Sequence, residues 1–146
     1  KEIFTASGAS IVNVKKEIDG FILNRLQGAL LNEAMRLYSD GYASSDEIDA
    51  TIRDGLGLRW AFMGPFETID LNAPGGIKDY ISRYGPIFVE MAKNQTKIPD
   101  WSEEAGKKLE LERRKILGHE ELEDRAKKRN QLLKTLRKVK IDNGEV

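Results

Sequence analysis

The chain has 146 residues, 40% hydrophobic and 33% charged, with 24 acidic side chains balancing 24 basic ones. This is enough for one compact domain with a core, and the zero formal charge gives no global attraction to nucleic acid or anionic membrane. The absence of cysteine excludes disulfides, thiolate-held metal clusters and a cysteine nucleophile, and a single histidine excludes a His-rich metal site. No apolar run is long enough to cross a bilayer and the start of the chain does not read as a signal peptide, so a cytoplasmic location is expected.

Lys1 to Ser10 reads as the end of a helix stopped at Gly8, and Ile11-Val12-Asn13-Val14-Lys15 alternates as a short strand. A lone strand cannot satisfy its own backbone, so this opening looks like the tail of an α/β domain. After the turn at Asp19-Gly20, apolar residues at helical spacing predict one helix from Phe21 to Asp40. Its apolar surface is wide, which predicts a central helix packed on several sides. Gly41 stops it, and Ser44 three residues before Glu47 predicts a capping box opening a second helix through Ile48 and Ile52. Gly55-Leu56-Gly57 reads as the stop of that helix, and Leu58–Phe62 as a short turn of structure. Gly64-Pro65 starts another helix, with Glu67 in its first turn, and Pro74-Gly75-Gly76 breaks it. A further helix is expected from Ile77 to Tyr84, with Gly85-Pro86 restarting the next one. Trp101-Ser102-Glu103-Glu104 is a helix start, and Gly118 interrupts before His119. The remainder is dense in charge, with Leu122, Ala126, Leu132, Leu133, Leu136 and Val139 forming a narrow stripe. It reads as a solvated amphipathic helix lying on the rest of the domain or on another subunit.

Two polar residues stand out against these apolar patterns. Asn24 lies in the first turn of the long helix, where an amide can be aimed into a cleft to bind a ligand, but on the residues alone an amide serving the helix N-terminus or the local backbone is the preferred reading. Arg59, between Gly57 and Trp60, suits bidentate capture of a carboxylate or phosphate, or stacking on Trp60 with its head in water. Other features read blandly. Gly55-Leu56-Gly57 follows a helix and lacks a third glycine, so it is no dinucleotide loop. Glu67 and Asp70 have no metal-ligand partners nearby, and His119 lies among glutamates facing solvent. The basic run Arg125–Arg129 is balanced by acids one turn earlier and lacks interleaved aromatics, so no nucleic-acid binding is expected.

Gly20-Phe21-Ile22-Leu23-Asn24-Arg25-Leu26-Gln27 followed by Glu33-Ala34 resembles the C-terminal domain of the 3-hydroxyacyl-CoA dehydrogenase family. The run from Gly55 to Thr68, then Asp70-Leu71-Asn72-Ala73 and Pro99-Asp100-Trp101, is most similar to its λ-crystallin/L-gulonate 3-dehydrogenase branch. The resemblance implies a mainly α fold, an all-helical domain like the C-terminal domain of 6-phosphogluconate dehydrogenase. Residues 1–18 would then be the last helix and strand of a Rossmann domain, and 19–146 the helical substrate-binding and dimerisation domain. It implies an NAD-dependent enzyme whose glycine-rich loop and catalytic His–Glu pair lie in the Rossmann domain, outside this chain. This fragment alone would be inactive and hold no NAD. Carried over by position, Asn24 would reach the substrate and the catalytic histidine, and Arg59 the carboxylate of a small hydroxy acid. The expected partners are a hydroxy-acid or acyl-CoA substrate, the Rossmann domain and a second copy of the chain. The rival readings are an autonomous helical interaction module and a nucleic-acid-binding domain using the basic tail.

Overall fold

The computed structural model describes residues 12–145, and every described regular element is helical. The expected opening helix lies outside the described residues, as does Ile11 of the expected strand. Val12–Lys15 forms no strand: a strand exists through its ladder, and no described residue pairs with this segment.

The helices are α1 (Phe21–Ser39), α2 (Ser45–Ala50), a π-helical turn (Thr51–Leu56), α3 (Gly57–Trp60), α4 (Pro65–Leu71), α5 (Gly76–Asn94), α6 (Glu103–Ile116), a 3₁₀ turn (His119–Glu121) and α7 (Leu122–Asp142). The chain divides into two compact units. One comprises the residues up to Leu30 with Ile116 onward, and the other Leu31–Lys115.

In the second unit the helix starts obey the local chemistry of the sequence. Gly41 takes a φ of +75°, the left-handed conformation that ends α1. The Ser44 hydroxyl accepts a hydrogen bond from the Glu47 backbone N–H, and the Ser44 N–H donates to the Glu47 carboxylate at 2.8 Å, completing the predicted capping box. A box of this kind contributes about 1 kcal/mol. Pro65 occupies the first turn of α4, where its missing N–H costs nothing. Gly76, at φ +72°, opens α5 with the Asp70 carboxylate accepting from the Ile77 N–H at 2.6 Å. A Cβ on Gly76 would lie 2.8 Å from that carboxylate, so the position needs glycine twice over. Ser102 caps α6, its hydroxyl accepting from the Ala105 N–H at 3.2 Å.

Three expectations are corrected. Gly55-Leu56-Gly57 does not stop a helix: the backbone stays helical through the π turn and α3, with Gly57 at φ −62° and ψ −32°. Gly85-Pro86 does not separate two helices either, because Pro86 lies inside α5. A residue before proline leaves the α region mainly because its Cβ and N–H meet the proline ring, and Gly85 has no Cβ. Finally, α1 is not packed on several sides. Phe21, Leu23 and Leu26 are exposed, and only Met35 and Tyr38 of this helix are buried.

Long-range polar contacts tie the second unit together. The Trp101 indole N–H donates to Asn32 at 3.0 Å, Arg36 donates to the Lys97 carbonyl at 3.0 Å, and Lys97 pairs with Asp40 at 2.8 Å. These hold the segment before α6 against the second half of α1, with Pro99 buried there. One Glu112 oxygen accepts both the backbone N–H and the hydroxyl of buried Ser45, each at 2.7 Å. Arg113 pairs with Asp49 at 3.2 Å, so α6 grips α2 at two successive residues. Met35, Tyr38 and Ala73 form the small buried apolar set, joined by Thr68, whose hydroxyl donates to the Gly64 carbonyl at 2.8 Å.

In the first unit the apolar stripe of α7 is partly covered: Ala126 and Leu136 are half-buried, while Leu132 and Leu133 are more than half exposed. Lys127 pairs with Glu123 and Asp124, the acid-then-base arrangement the sequence predicts.

Candidate functional site

The entry to α1 is built from two consecutive left-handed residues, Gly20 at φ +79° and Phe21 at φ +50°. The Phe21 N–H donates to the Ile18 carbonyl at 3.2 Å, closing the turn at Asp19-Gly20. Glycine takes this conformation freely, whereas a phenylalanine in it carries strain of about 1–2 kcal/mol. The ring is 65% exposed, so little burial offsets that strain. Replacing Phe21 with asparagine, which tolerates the left-handed region, should therefore raise stability by up to about 1 kcal/mol. Urea unfolding of the two proteins measures this, and a marked loss of stability would show that the ring is held after all.

One turn into the helix, the Asn24 side chain is exposed and makes no hydrogen bond among the described residues. It therefore does not serve the helix N-terminus, and its donor and acceptor are both available. A Cβ built on Gly28, the next residue along the same stripe, would meet nothing within 4 Å among the described residues. Gly28 is half-buried and puts no side chain beside the amide.

Arg59 belongs to the second unit. Its backbone is fixed, because its carbonyl accepts from both the Phe62 and Met63 N–H groups at 3.0 and 3.1 Å. Its guanidinium is exposed, with no carboxylate partner and no aromatic ring beneath it among the described residues. Stacking on Trp60 is therefore not its conformation. An arginine on a fixed backbone with a free fork is chemically ready to take a planar anion. Asn24 and Arg59 lie in different units.

The remaining candidates have local roles. Asp70 caps α5, Glu67 is exposed in the first turn of α4, and His119 opens the exposed 3₁₀ turn. Among the described residues no cluster of three or more His, Asp or Glu side chains could hold a metal. Nor do those residues suit a dinucleotide: Gly55 and Gly57 lie inside a helical run, and no strand leads into a glycine-rich turn. Neither Asn24 nor Arg59 lines any of three cavities among the described residues. In the first unit these are an apolar groove of about 580 Å³ over Asn13–Ile18 and Ile22, and one of about 500 Å³ over Leu117 and the Leu122–Leu133 face of α7. In the second unit a cavity of about 410 Å³ lies between Tyr38 and Leu111.

Two functional features escaped the sequence. Glu112 is one acid among many in α6, and nothing local marks its bond to Ser45. The two bonds from Ser45, the hydroxyl first, hold its carboxyl below the ordinary glutamate range. Burial, and then Glu112, push the Tyr38 phenol up. The π turn is the second. Its only signal was a glycine five residues after Ile52, a spacing with no meaning in an ordinary helix.

These elements define an all-α fold in which the Asn24 amide and the Arg59 guanidinium have no partner among the described residues. Residues 20–118 match the family described as 3-hydroxyacyl-CoA dehydrogenase, C-terminal domain, and the chain belongs to that family. It is 42% identical over 135 residues to lambda-crystallin of Oryctolagus cuniculus, covering 91% of this chain and 42% of that protein. It is 44% identical over 98 residues to a lambda-crystallin homolog of Rattus norvegicus, covering 67% of this chain and 30% of that protein. To the L-carnitine dehydrogenase of Pseudomonas putida it is 47% identical over 89 residues, covering 60% of this chain and 28% of that protein. The chain therefore spans less than half the length of these relatives. No described helix is long and apolar enough to cross a membrane.

Proposed function

We propose that this chain is the substrate-binding and dimerisation domain of an NAD-dependent 3-hydroxy-acid or 3-hydroxyacyl-CoA dehydrogenase of the L-gulonate 3-dehydrogenase kind, working in the cytoplasm. On this reading residues 1–18 finish a Rossmann domain and 19–146 form the helical domain. The observation that carries it is the family match, which begins at Gly20 and so includes Asn24 at the entrance of α1. NAD accepts the hydride in such enzymes and would be held by the Rossmann domain. This chain's own part is to bind and orient. The free Asn24 amide hydrogen-bonds the substrate and the catalytic histidine of the Rossmann domain. The Arg59 fork takes the substrate carboxylate, and a neutral analogue forgoes that charge-assisted hydrogen bond.

The test is to express the protein at the full length of its relatives and track NAD reduction with L-gulonate, L-carnitine and a short 3-hydroxyacyl-CoA. Turnover of at least one is expected, and the preferred one names the substrate class. Failure of all three, with the protein folded, would remove the reading in favour of a helical interaction module.

Dimerisation is supported by the exposed apolar surface. Leu23 and Leu26 of α1, and Ile81, Ile87, Phe88 and Val89 of α5, are all half exposed or more. Large apolar faces of this kind are covered in stable proteins. A dimer is expected in sedimentation equilibrium at micromolar concentration; a monomer throughout that range would contradict it.

A further inference from the structure

The run from Ser45 to Trp60 is helical throughout, yet its middle is wound at a different pitch from its ends. Over Thr51–Leu56 the hydrogen bonds span five residues, and the Gly57 N–H donates to the Ile52 carbonyl. The wider turn brings that carbonyl against residue 57. A Cβ on Gly57 would lie 2.8 Å from the Ile52 oxygen and 3.6 Å from its carbon. Real Cβ atoms do not approach backbone oxygen so closely, and backbone cannot swing aside as a side chain can. Gly57 is therefore what permits the π turn. At ordinary helical pitch residue 57 would be clear of Ile52, and no glycine would be needed.

The pitch also sets the direction of the side chains on α3. A π turn holds about one residue more than an α turn, so the same residues wound as α-helix would carry Leu58, Arg59 and Trp60 round by about 100°. Arg59 is the second residue after Gly57. Its backbone is pinned by two hydrogen bonds from Phe62 and Met63, and its guanidinium has no partner among the described residues. The winding thus sets the direction in which its Cα–Cβ bond leaves the helix, and no contact on the side chain among the described residues offsets that direction. π turns of this kind are rare, occur mostly as single turns inside an α-helix and are frequent at sites of function.

We infer that Gly57 is a positioning residue: by permitting the π turn it aims Arg59, and so sets the preference for carboxylate-bearing substrates. The inference rests on the reading of Arg59 as the carboxylate ligand. It adds that the preference is encoded two residues upstream, in a residue that touches no substrate.

The test compares the full-length enzyme with Gly57→Ala, Arg59→Ala and the double variant. The readout is the ratio of kcat/KM for a carboxylate substrate to that for its neutral amide analogue. Arg59→Ala should lower this ratio at least about tenfold, as expected for losing a charged hydrogen bond. Gly57→Ala should lower it comparably, chiefly through KM for the carboxylate, and the double variant no further than Arg59→Ala. A purely structural role would reduce both substrates alike and leave the ratio unchanged, which would overturn the inference. So would additive losses in the double variant. An unchanged ratio in Arg59→Ala would instead overturn the reading of Arg59, which separates the two failures. Should Gly57→Ala not fold, exchanging Leu58 and Arg59 (Leu58→Arg with Arg59→Leu) moves the fork by one residue and leaves the π turn intact. That variant should lose the ratio as Arg59→Ala does, and retention of it would overturn the inference.

Discussion

On the proposed function, replacing Asn24 with alanine in the protein at the full length of its relatives is expected to cut turnover by about a hundredfold, the usual order for losing one hydrogen bond at a reacting centre. The unfolding midpoint should barely move. The reason lies in the contrast between the residue's surroundings and its bonding. Asn24 is exposed, makes no hydrogen bond within the described chain, and sits on a turn whose geometry is fixed by Gly20 and Phe21 rather than by the amide. Deleting it therefore leaves no buried polar group unpaired and opens no cavity. Alanine is also the better helix former. Steady-state kinetics beside urea denaturation separates the two effects. Unchanged kcat would remove Asn24 from the site, and a large loss of stability would mean that the amide is structural.

The second large effect concerns stability and acid. Glu112→Ala should markedly lower the denaturation midpoint near neutral pH, because it strips the buried Ser45 of the acceptor for both its N–H and its hydroxyl. It also takes a negative charge from the N-terminus of α2, where the helix dipole favours one. Glu112→Gln keeps an acceptor oxygen but no charge, and should fall between. The pH dependence has a definite sign. The Ser45 bonds hold the Glu112 carboxyl below its ordinary value, so folding favours the ionised form. That stabilisation is complete above the unfolded value of about 4.3 and is lost as pH falls through the lowered folded value. Glu47, lowered chiefly by the Ser44 hydroxyl, acts in the same direction, so both ends of the α2 cap weaken together in acid. Urea midpoints at about pH 7 and about pH 3 should therefore differ less in Glu112→Gln than in the parent. Equal acid losses in the two proteins would show that Glu112 does not carry the acid sensitivity.

What the sequence disclosed, and what it hid, divides by the range of the interactions. The capping box at Ser44 and Glu47, the proline start at Pro65 and the glycine-led opening of α5 are short-range devices written in adjacent residues, and all are present. Gly85-Pro86 misled because a glycine before proline cancels the clash that usually breaks a helix. Gly55-Leu56-Gly57 misled for a related reason: glycine there answers a close backbone approach within the helix, and in sequence that need looks the same as a stop. The apolar breadth of α1 was legible, but its exposure was not, because periodicity tells which faces are apolar and not whether this chain covers them. For the candidate site, residue type and context singled out Asn24 and Arg59. Their lack of partners among the described residues, on which the proposed chemistry depends, is a property of everything around them. Glu112 was invisible because its partner lies 67 residues away.

That separation has a consequence for how the protein is made. α2 begins the helical run from Ser45 to Trp60 and is anchored at its start by Glu112, while the second half of α1 is tied to Trp101 across 69 residues. A ribosome must therefore complete almost the whole of Leu31–Lys115 before either contact can form. The early helices then wait, nascent and apolar, for a late segment to fasten them. The unit should lock in a single late step, with the amide protons of α2 and α6 gaining protection from exchange together.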